Sequence, residues 1–402
     1  MPKRERQLGR DWLSTYQNEY IIKQESPPHY HFWVGAQLIS TALRRNVHIS
    51  RGAYDIFPNQ FVILVSDSGR CRKSAAMGLG MDLISRLDDL NIINGRATVE
   101  GLLDSLSKKT NVNLTTQKAV PDGSCLIYAD ELSYLFGKSS YITDLISFLT
   151  AAYTGKAKLD FLTRNKGMAQ VRNPCPGILA GTTPQQMGEI FPSMTIYSGF
   201  MARVLLIYGT RKQSIRVSLP IINKDLEDLL IHDLGCISEL TGTILLDEET
   251  EIFYNKWYED MPLPRAPELE AFHERKHDHV LKLALVLSIS ESDELVIRMH
   301  HLLEAIERIE EVELHTPQAL SYIGATVQSA TRDIVLRIIQ SMYPETMGHS
   351  ILMQRVNRRL TGGGVEFNLI IDQLLDEGLI EYANAGSTKA ITYRYKEQKH
   401  GS

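Results

Sequence analysis

The sequence predicts an α/β fold built around a mostly parallel β-sheet. Short, wholly apolar segments recur through the first half of the chain, and each is typical of a strand buried on both faces. These segments are residues 61–65, 125–129, 177–181 and 204–209. Segments with the apolar spacing of helices, beginning with residues 75–87, separate them. Because strands that alternate with helices pair in parallel beneath helical layers, the two observations together indicate this fold class.

The region before the first strand predicts two helices. They occupy residues 10–46 and are divided by Ser26-Pro27-Pro28. The two prolines end the first helix, and the side-chain oxygen of Ser26 is suited to open the second. We therefore treat residues 1–50 as an N-terminal helical segment and residues 51–218 as the α/β core.

Helices dominate after the core. Apolar spacing predicts a helical lid over residues 219–322, whose last helix ends near Pro317. The lid's helical segments are residues 226–240, 252–257, 280–289 and 299–312. Residues 323–402 then give three helix candidates, at 331–343, 350–360 and 365–379, and two strands, at 379–382 and 390–395, around a turn at 384–387. Three helices followed by a β-hairpin are typical of a winged-helix domain.

Composition limits the class of function. The 43 Lys and Arg residues against 48 Asp and Glu residues give a formal charge of −5, so a nucleic acid would have to bind local basic patches. The four cysteines show no C-x-x-C spacing, which favours reduced thiols over a zinc site or disulfides. No apolar run approaches the roughly 20 residues that span a bilayer, and no apolar segment follows the charged start. We expect a cytoplasmic protein with no membrane partner.

The strongest local signal lies between the first strand and its helix, where residues 65–74 read VSDSGRCRKS. A phosphate-binding loop at a helix N-terminus offers backbone N–H groups, a Lys for the β- and γ-phosphates and a Ser or Thr for Mg²⁺. Lys73 and Ser74 fit the last two roles. The expected nucleotide-binding residues are Ser68, Gly69, Arg70, Cys71, Arg72, Lys73 and Ser74.

This loop departs from the standard G-x-x-x-x-G-K-[ST] pattern. Arg72 stands directly before Lys73, and Cys71 would replace the second glycine if the loop carried one extra residue. An incidental polar turn therefore stays open as the alternative.

Polar residues also follow the other predicted strands. Asp130 and Glu131 end an apolar strand, an arrangement in which the first acid orders the Mg²⁺ shell and the second activates water. Thr183, with Thr182 as its competitor, could sense a γ-phosphate, although both could merely cap the next helix. Arg203 precedes the last strand, where it could enter a neighbouring subunit's site or simply pair with a surface acid.

Taken in order, these segments resemble the AAA+ core of the MCM-like replicative helicases, and still more the ATPase module of phage and plasmid primase-helicase proteins. The resemblance extends over residues 30–315, with the winged helix as an extension. It implies an AAA+ P-loop core with an α-helical lid and a C-terminal winged helix, with ATP and Mg²⁺ as cofactors. Asp130 and Ser74 would hold the metal, Glu131 would activate water, Thr183 would be the sensor and Arg203 the arginine finger.

The same family carries a β-hairpin that grips single-stranded DNA. Here residues 158–163 and 168–172 flank a turn whose tip carries Arg164 and Lys166. These two residues are the predicted DNA contacts, and the alternative is a solvated turn. A second sensor in the lid would be Arg275 or Lys282.

The third helix of the winged-helix candidate argues against reading DNA sequence. It contains Glu366, Asp372, Asp376 and Glu377 but no Lys or Arg, so phosphates would repel it. Protein docking is the alternative role for this domain.

The leading hypothesis is a hexameric, DNA-stimulated ATPase that translocates on single-stranded or forked DNA as a phage or mobile-element replicative helicase. A primase or other replication proteins would be its partners. The alternative is a nucleotide-binding AAA+ initiator, loader or assembly scaffold without processive unwinding.

Overall fold

The computed structural model describes most of the chain. The described residues are 4–21, 24–95, 98–112, 119–137, 142–163, 167–191, 199–212, 214, 222–264, 269–320, 323, 327–357, 360, 363–383 and 391–396. The chain divides into two units, Met1–Ile323 and Gly324–Ser402.

The first unit contains the elements that position the candidate site. In chain order its N-terminal and core elements are α1 (Trp12–Thr15), a π-helical turn (Tyr16–Tyr20), α2 (Pro28–Leu43), β1 (Val47–Ser50), β2 (Asp55–Ile56), β3 (Phe61–Val65), α3 (Lys73–Ile84), β4 (Ile92–Asn94), α4 (Val99–Lys108), β5 (Thr110–Val112), β6 (Ala119–Pro121), β7 (Gly123–Ala129), α5 (Leu132–Phe136), α6 (Ile142–Tyr153), β8 (Lys158–Thr163), β9 (Gly167–Arg172), β10 (Pro174–Thr182), α7 (Pro184–Ile190), a 3₁₀ turn (Met201–Arg203) and β11 (Val204–Tyr208). Its lid elements are α8 (Lys224–Ser238), β12 (Gly242–Thr243), β13 (Leu245–Leu246), α9 (Glu248–Glu259), α10 (Glu270–His273), α11 (Lys276–Glu291), β14 (Val296–Ile297) and α12 (Met299–Leu320).

Within the described residues, five parallel strands form the central sheet, in the spatial order β11-β3-β10-β7-β4. Numbered along the chain, these strands lie in the order 5-1-4-3-2. The predicted α/β class with a mostly parallel sheet is therefore confirmed. The apolar pattern of the sequence does not predict β4, because this strand has only three residues and they are half-buried or exposed.

The sheet separates two hydrophobic cores, and alternate residues of each strand face opposite sides. In β3, Val62 and Leu64 pack into the core formed with α2, α3, α8 and α11. Phe61, Ile63 and Val65 pack into the other core, with α4, α5 and α6. Burial on both faces explains why β3, β7 and β10 are almost wholly apolar, with Ser124 and Thr182 as the polar exceptions.

The N-terminal segment differs from the prediction at one residue. Helix α2 begins at Pro28 without a side-chain cap, so the prediction that Ser26 opens it is wrong. Pro at this first position needs no N–H partner and already has a helical φ. Ser26 instead donates its hydroxyl to the carbonyl of Arg72 at 3.1 Å. The segment is thereby attached to the loop that precedes α3.

The lid consists mainly of helices α8, α9, α11 and α12. Helix α11 is buried along almost its whole length, and α12 packs against both α11 and β11. Helix α12 continues through Pro317 to Leu320, three residues beyond the proline at which we expected it to end.

Two hairpins precede neighbouring strands of the sheet. Strands β8 and β9 pair antiparallel and lead into β10, which confirms the predicted hairpin. The expected DNA contacts at its tip, Arg164 and Lys166, lie outside the described residues. Strands β5 and β6 form a second hairpin that leads into β7.

The second unit contains α13 (Val327–Ser341), β15 (Met347–Gly348), α14 (His349–Val356), α15 (Gly363–Asp376), β16 (Ile380–Tyr382) and β17 (Thr392–Tyr395). In its described part, the three strands form one antiparallel sheet in the order β15-β17-β16. The helices pack on this sheet around Val335, Phe367 and Leu374. The expected turn at residues 384–387 lies outside the described part of the chain.

Candidate functional site

The loop of residues 66–72, called here the phosphate loop, joins β3 to α3. Gly69 has a φ of +69° and Arg72 a φ of 52°, both in the left-handed region. Lys73 is the first residue of α3, and its ammonium group donates to the carbonyl of Ser66 at 2.8 Å and to the Ser66 hydroxyl at 2.9 Å. Partial burial lowers the pKa of Lys73 below its usual value. The ammonium group therefore lies inside the turn of the loop.

Arg72 is held outside that turn. Its Nε lies 2.9 Å from the buried carboxylate of Glu25, which Lys212 also approaches at 3.5 Å. Together with the Ser26 hydroxyl on its carbonyl, this ion pair fixes a non-glycine residue in the left-handed conformation. The side chain of Arg72 thus contacts the N-terminal segment, and only its backbone belongs to the turn.

Cys71 faces the protein interior. It is fully buried and packs beside Tyr30, and a Cβ added to Gly209 would lie 3.1 Å from its sulfur. Burial raises the pKa of the Cys71 thiol, which keeps it in the neutral form. The remaining predicted loop residues Ser68, Gly69 and Arg70 are exposed, as is Ser74 in the first turn of α3.

The two acids follow β7 at the same edge of the sheet. In the register of the sheet, Ala129 pairs with Ala180 and Val65 pairs with Thr182, so the carboxyl ends of β3, β7 and β10 are aligned. Asp130 is exposed and accepts a hydrogen bond from the hydroxyl of Tyr128. Parallel strands place ligands at this edge. The structure therefore places Lys73, Asp130 and Thr183 at the carboxyl end of the central sheet.

Glycine at position 181 allows β10 to approach the acids. A Cβ at Gly181 would lie 2.7 Å from the carbonyl oxygen of Asp130 and 3.0 Å from Cε of Met77. No side chain fits into that space without moving the backbone of Asp130.

Thr183 caps helix α7. Its hydroxyl accepts a hydrogen bond from the backbone N–H of Gln186 at 3.1 Å. In return, the side-chain oxygen of Gln186 accepts one from the backbone N–H of Thr183 at 3.3 Å. The capping role that the sequence left open for Thr183 is thus present. Its hydroxyl proton is not used by this bond and can still be donated.

Gln186 is a site residue that the sequence analysis missed. Its amide nitrogen donates to the Glu131 carboxylate at 3.1 Å, while its amide oxygen accepts from the backbone N–H of Thr183. The signal was present as Thr-x-x-Gln, the pattern of a capping box, but nothing in it indicates a contact with Glu131.

Arg203 lies at the amino end of the central strands, opposite the end that carries the phosphate loop. It precedes β11, whose first residue pairs with the first residue of β3, so about six residues of extended strand, or about 20 Å, separate its level in the sheet from the phosphate loop. Arg203 is 6% exposed, donates to the carbonyl of Gly199 and lies over the ring of Tyr153. Burial and the charge of Arg275 lower its pKa. Within one chain, Arg203 does not join Lys73 and Asp130.

Lys282 cannot serve as a second sensor. Its fully buried ammonium group donates to Phe57 O at 2.8 Å, to Asn59 O at 3.0 Å and to Asn59 Oδ1 at 2.7 Å. Burial lowers its pKa to about 8. Arg275 is 37% exposed and pairs with Asp278 at 3.1 Å, so it is the more accessible of the two candidates.

Comparison with known proteins gives no match, either to a protein-family model or to a curated protein sequence. Across the described residues, we find no helix with the length and apolar character needed to cross a membrane.

Proposed function

We propose that this protein is a ring-forming AAA+ ATPase that acts on DNA, as a phage or mobile-element replicative helicase. The observation that supports the proposal is that Lys73, Asp130 and Thr183 all follow the carboxyl ends of neighbouring strands in a parallel sheet of the order 5-1-4-3-2. The second unit, with three helices and an antiparallel sheet, supports the winged-helix part of the proposal.

The residues at this edge fit ATP and Mg²⁺. The phosphate loop precedes a helix of 12 residues, whose N-terminus attracts anions. Lys73 supplies a positive charge beside it, and the exposed oxygens of Ser74 and Asp130 are the hard donors that Mg²⁺ prefers. When bound, Mg²⁺ neutralises charge on the transferred phosphoryl group.

The protein's own groups have distinct tasks in this proposal. Lys73 exchanges its bonds to Ser66 for bonds to phosphate oxygens, while Glu131 orients and deprotonates the attacking water. The hydroxyl proton of Thr183 is directed to the γ-phosphate.

Hydrolysis in this proposal needs a neighbouring subunit. Arg203 lies at the amino end of the central strands, away from Lys73 and Asp130. It can therefore complete only the site of another chain, as an arginine finger does. Its burial implies that ring assembly rearranges the segment around Gly199. Hairpin β8–β9 would then contact single-stranded DNA through backbone phosphates.

The test is steady-state ATP hydrolysis with and without single-stranded DNA. We expect DNA-stimulated turnover in the wild type and its loss in Lys73→Ala and Glu131→Gln. Lys108→Ala is the matched control, because Lys108 is exposed on α4 and, among the described residues, pairs with Asp104 alone, at 2.7 Å. A wild-type protein that neither binds nucleotide nor assembles beyond a dimer would contradict the proposal.

A second candidate function is a nucleotide-dependent assembly scaffold without turnover. The observation that favours it is Arg72, which replaces the usual glycine and is fixed to Glu25. For this function, nucleotide binding would persist without hydrolysis and would be lost in Lys73→Ala. Turnover that depends on Glu131 would exclude it.

A further inference from the structure

Helix α8 of the lid carries three side chains of the kinds that bind metal ions. His232 and Asp233 are adjacent on this helix and Cys236 follows one turn later; together they are called here the α8 cluster. Their ligand atoms all lie within 4.8 Å of one another. Nδ1 of His232 lies 3.1 Å from Oδ1 of Asp233 and 3.8 Å from Sγ of Cys236. One ring nitrogen therefore faces both a carboxylate oxygen and a sulfur.

The distances from the His232 nitrogen fit a tetrahedral zinc ion. Zinc bonds nitrogen and oxygen at about 2.1 Å and sulfur at about 2.3 Å, so a tetrahedral site separates nitrogen from oxygen by about 3.4 Å and nitrogen from sulfur by about 3.6 Å. The observed separations of 3.1 Å and 3.8 Å differ from these values by about 0.2–0.3 Å. The three side chains are therefore close to the arrangement that zinc requires.

Gln7 can hold His232 in the tautomer that binds a metal through Nδ1. This tautomer carries its proton on Nε2, which lies 3.3 Å from the side-chain amide nitrogen of Gln7. Turning the amide over by a half rotation places its oxygen there instead, and the oxygen accepts the Nε2 proton. Metal-binding histidines almost always donate their other N–H group in this way.

Asp233 is a buried carboxylate that lacks a permanent positive partner in the described part of the chain. It is 0% exposed and accepts hydrogen bonds from the backbone N–H groups of Gln7 at 2.7 Å and Leu8 at 3.2 Å. No described Lys or Arg lies within ion-pair distance of it; the ring of His232 does, and this ring is charged only when protonated. Because a buried charge without a counter-charge is costly, a divalent cation would stabilise this carboxylate.

A second cluster, of Glu291, His300 and His301, does not fit a metal in the same way. Nδ1 of His301 accepts the backbone N–H of Arg298 at 3.1 Å, so the proton of this ring lies on Nε2, which donates to Glu291 at 2.6 Å. A ring nitrogen that carries a proton has no lone pair for a metal. The hydrogen bonds therefore favour the α8 cluster, and His300 supplies a control.

We propose that the α8 cluster binds a zinc ion through Nδ1 of His232, a carboxylate oxygen of Asp233 and the thiolate of Cys236. One nitrogen, one oxygen and one sulfur suit zinc, whereas Mg²⁺ prefers oxygen alone. The His232 side chain is 29% exposed, and water completes the fourth position from that side. Burial raises the pKa of the Cys236 thiol to about 11, so its proton passes to solvent as the zinc–sulfur bond forms.

The ion would strengthen the attachment of the N-terminal residues to the lid, because Asp233 also accepts the backbone N–H groups of Gln7 and Leu8. Zinc that binds the folded chain alone raises its stability. The site is independent of the ATPase proposed above.

The experiment uses the full chain without an affinity tag, after a chelator has removed any bound metal. Zinc is the first probe, followed by calorimetry in excess Mg²⁺, which occupies sites made of oxygen ligands. Cobalt(II) is the second probe, because its bond to a thiolate gives an absorption band that reports the cysteine. The ligand variants are Cys236→Ser and His232→Gln.

Each ligand variant has a matched control. Cys175 is also buried and donates to the carbonyl of Arg44 at 3.4 Å, a bond that serine can make, so Cys175→Ser is the control for the thiol. His300→Gln is the control for the histidine, because it changes the second cluster and leaves the α8 cluster intact.

We expect Cys236→Ser to lose the cobalt band and His232→Gln to weaken zinc binding at least about tenfold, while both controls bind as the wild type does. If a ligand variant does not fold in a melting experiment, Gln7→Ala decides. It leaves all three ligands in place, and the loss of the partner of Nε2 should weaken zinc binding about tenfold. Absent zinc binding, a cobalt band that persists in Cys236→Ser, or an affinity that depends on His300 and not on His232 would overturn the proposal.

Discussion

Gln186 donates its side-chain amide to the carboxylate of Glu131 at 3.1 Å, and this bond links the ends of two neighbouring strands, β7 and β10. The same side chain caps α7 through Thr183, so its position is fixed from two directions. In the ATPase that we propose, Glu131 activates water, and Gln186 would be the residue that orients its carboxylate.

Gln186→Ala should lower kcat for ATP hydrolysis about tenfold and leave nucleotide affinity unchanged, because the carboxylate loses a hydrogen bond that aligns it. Steady-state kinetics and a nucleotide titration measure the two quantities separately. Gln185→Ala is the matched control, because the exposed Gln185 side chain hydrogen-bonds to Glu189 at 3.4 Å and to no other described residue. Equal kcat values for the two variants would show that Gln186 serves only the helix.

Gly181→Ala should disturb the site through the backbone of Asp130. The new methyl group would lie 2.7 Å from the Asp130 carbonyl oxygen, so we expect a loss of about 1–3 kcal/mol in the free energy of unfolding and weaker nucleotide binding. Urea denaturation and nucleotide titration measure both effects.

The control for that change is Gly78→Ala. Gly78 lies in α3, and a Cβ there meets nothing within 4 Å. Alanine is the better helix former by about 0.5–1 kcal/mol, so this variant should be slightly more stable than the wild type. A similar loss of stability in both variants would argue against the close approach at Gly181.

Four of the five strands of the central sheet, β3, β7, β10 and β11, were predictable because each is a short, mainly apolar run that is almost wholly buried; the short, half-buried β4 was not. The register of those strands was not, and it is the register that aligns Val65 with Thr182 and so assembles the site. The roles predicted for single residues were ambiguous for the same reason, since they too depend on tertiary packing. The sequence offered Lys282, with Arg275, as a second sensor, and only the packing of α11 shows that Lys282 is buried against Asn59.

Arg72 holds a left-handed conformation that glycine adopts without strain, with a φ of 52°. Arg72→Ala should therefore be less stable than Arg72→Gly by about 1 kcal/mol, because both lose the ion pair with Glu25 but only alanine keeps the backbone strain. Urea denaturation of the two variants at one pH makes the comparison. A more stable alanine variant would mean that the loop changes conformation when the ion pair is removed.

Lys282 should make stability depend on pH in the alkaline range. Burial lowers its pKa from the model-compound value of 10.5 to about 8, so between these values the unfolded chain binds a proton that the folded chain has released. Stability rises with pH wherever the unfolded state binds more protons. The free energy of unfolding of the wild type, measured relative to Lys282→Met, should therefore increase from pH 8 to pH 10.

At pH 7 the lysine is protonated, and its three bonds to Phe57 and Asn59 are intact. Lys282→Met leaves those acceptors buried and unpaired, which should cost about 2–4 kcal/mol. Urea denaturation at pH 7, 8, 9 and 10 measures both effects. A constant difference between the two proteins across this range would show that Lys282 keeps its proton in the folded state, held by the carbonyl groups around it.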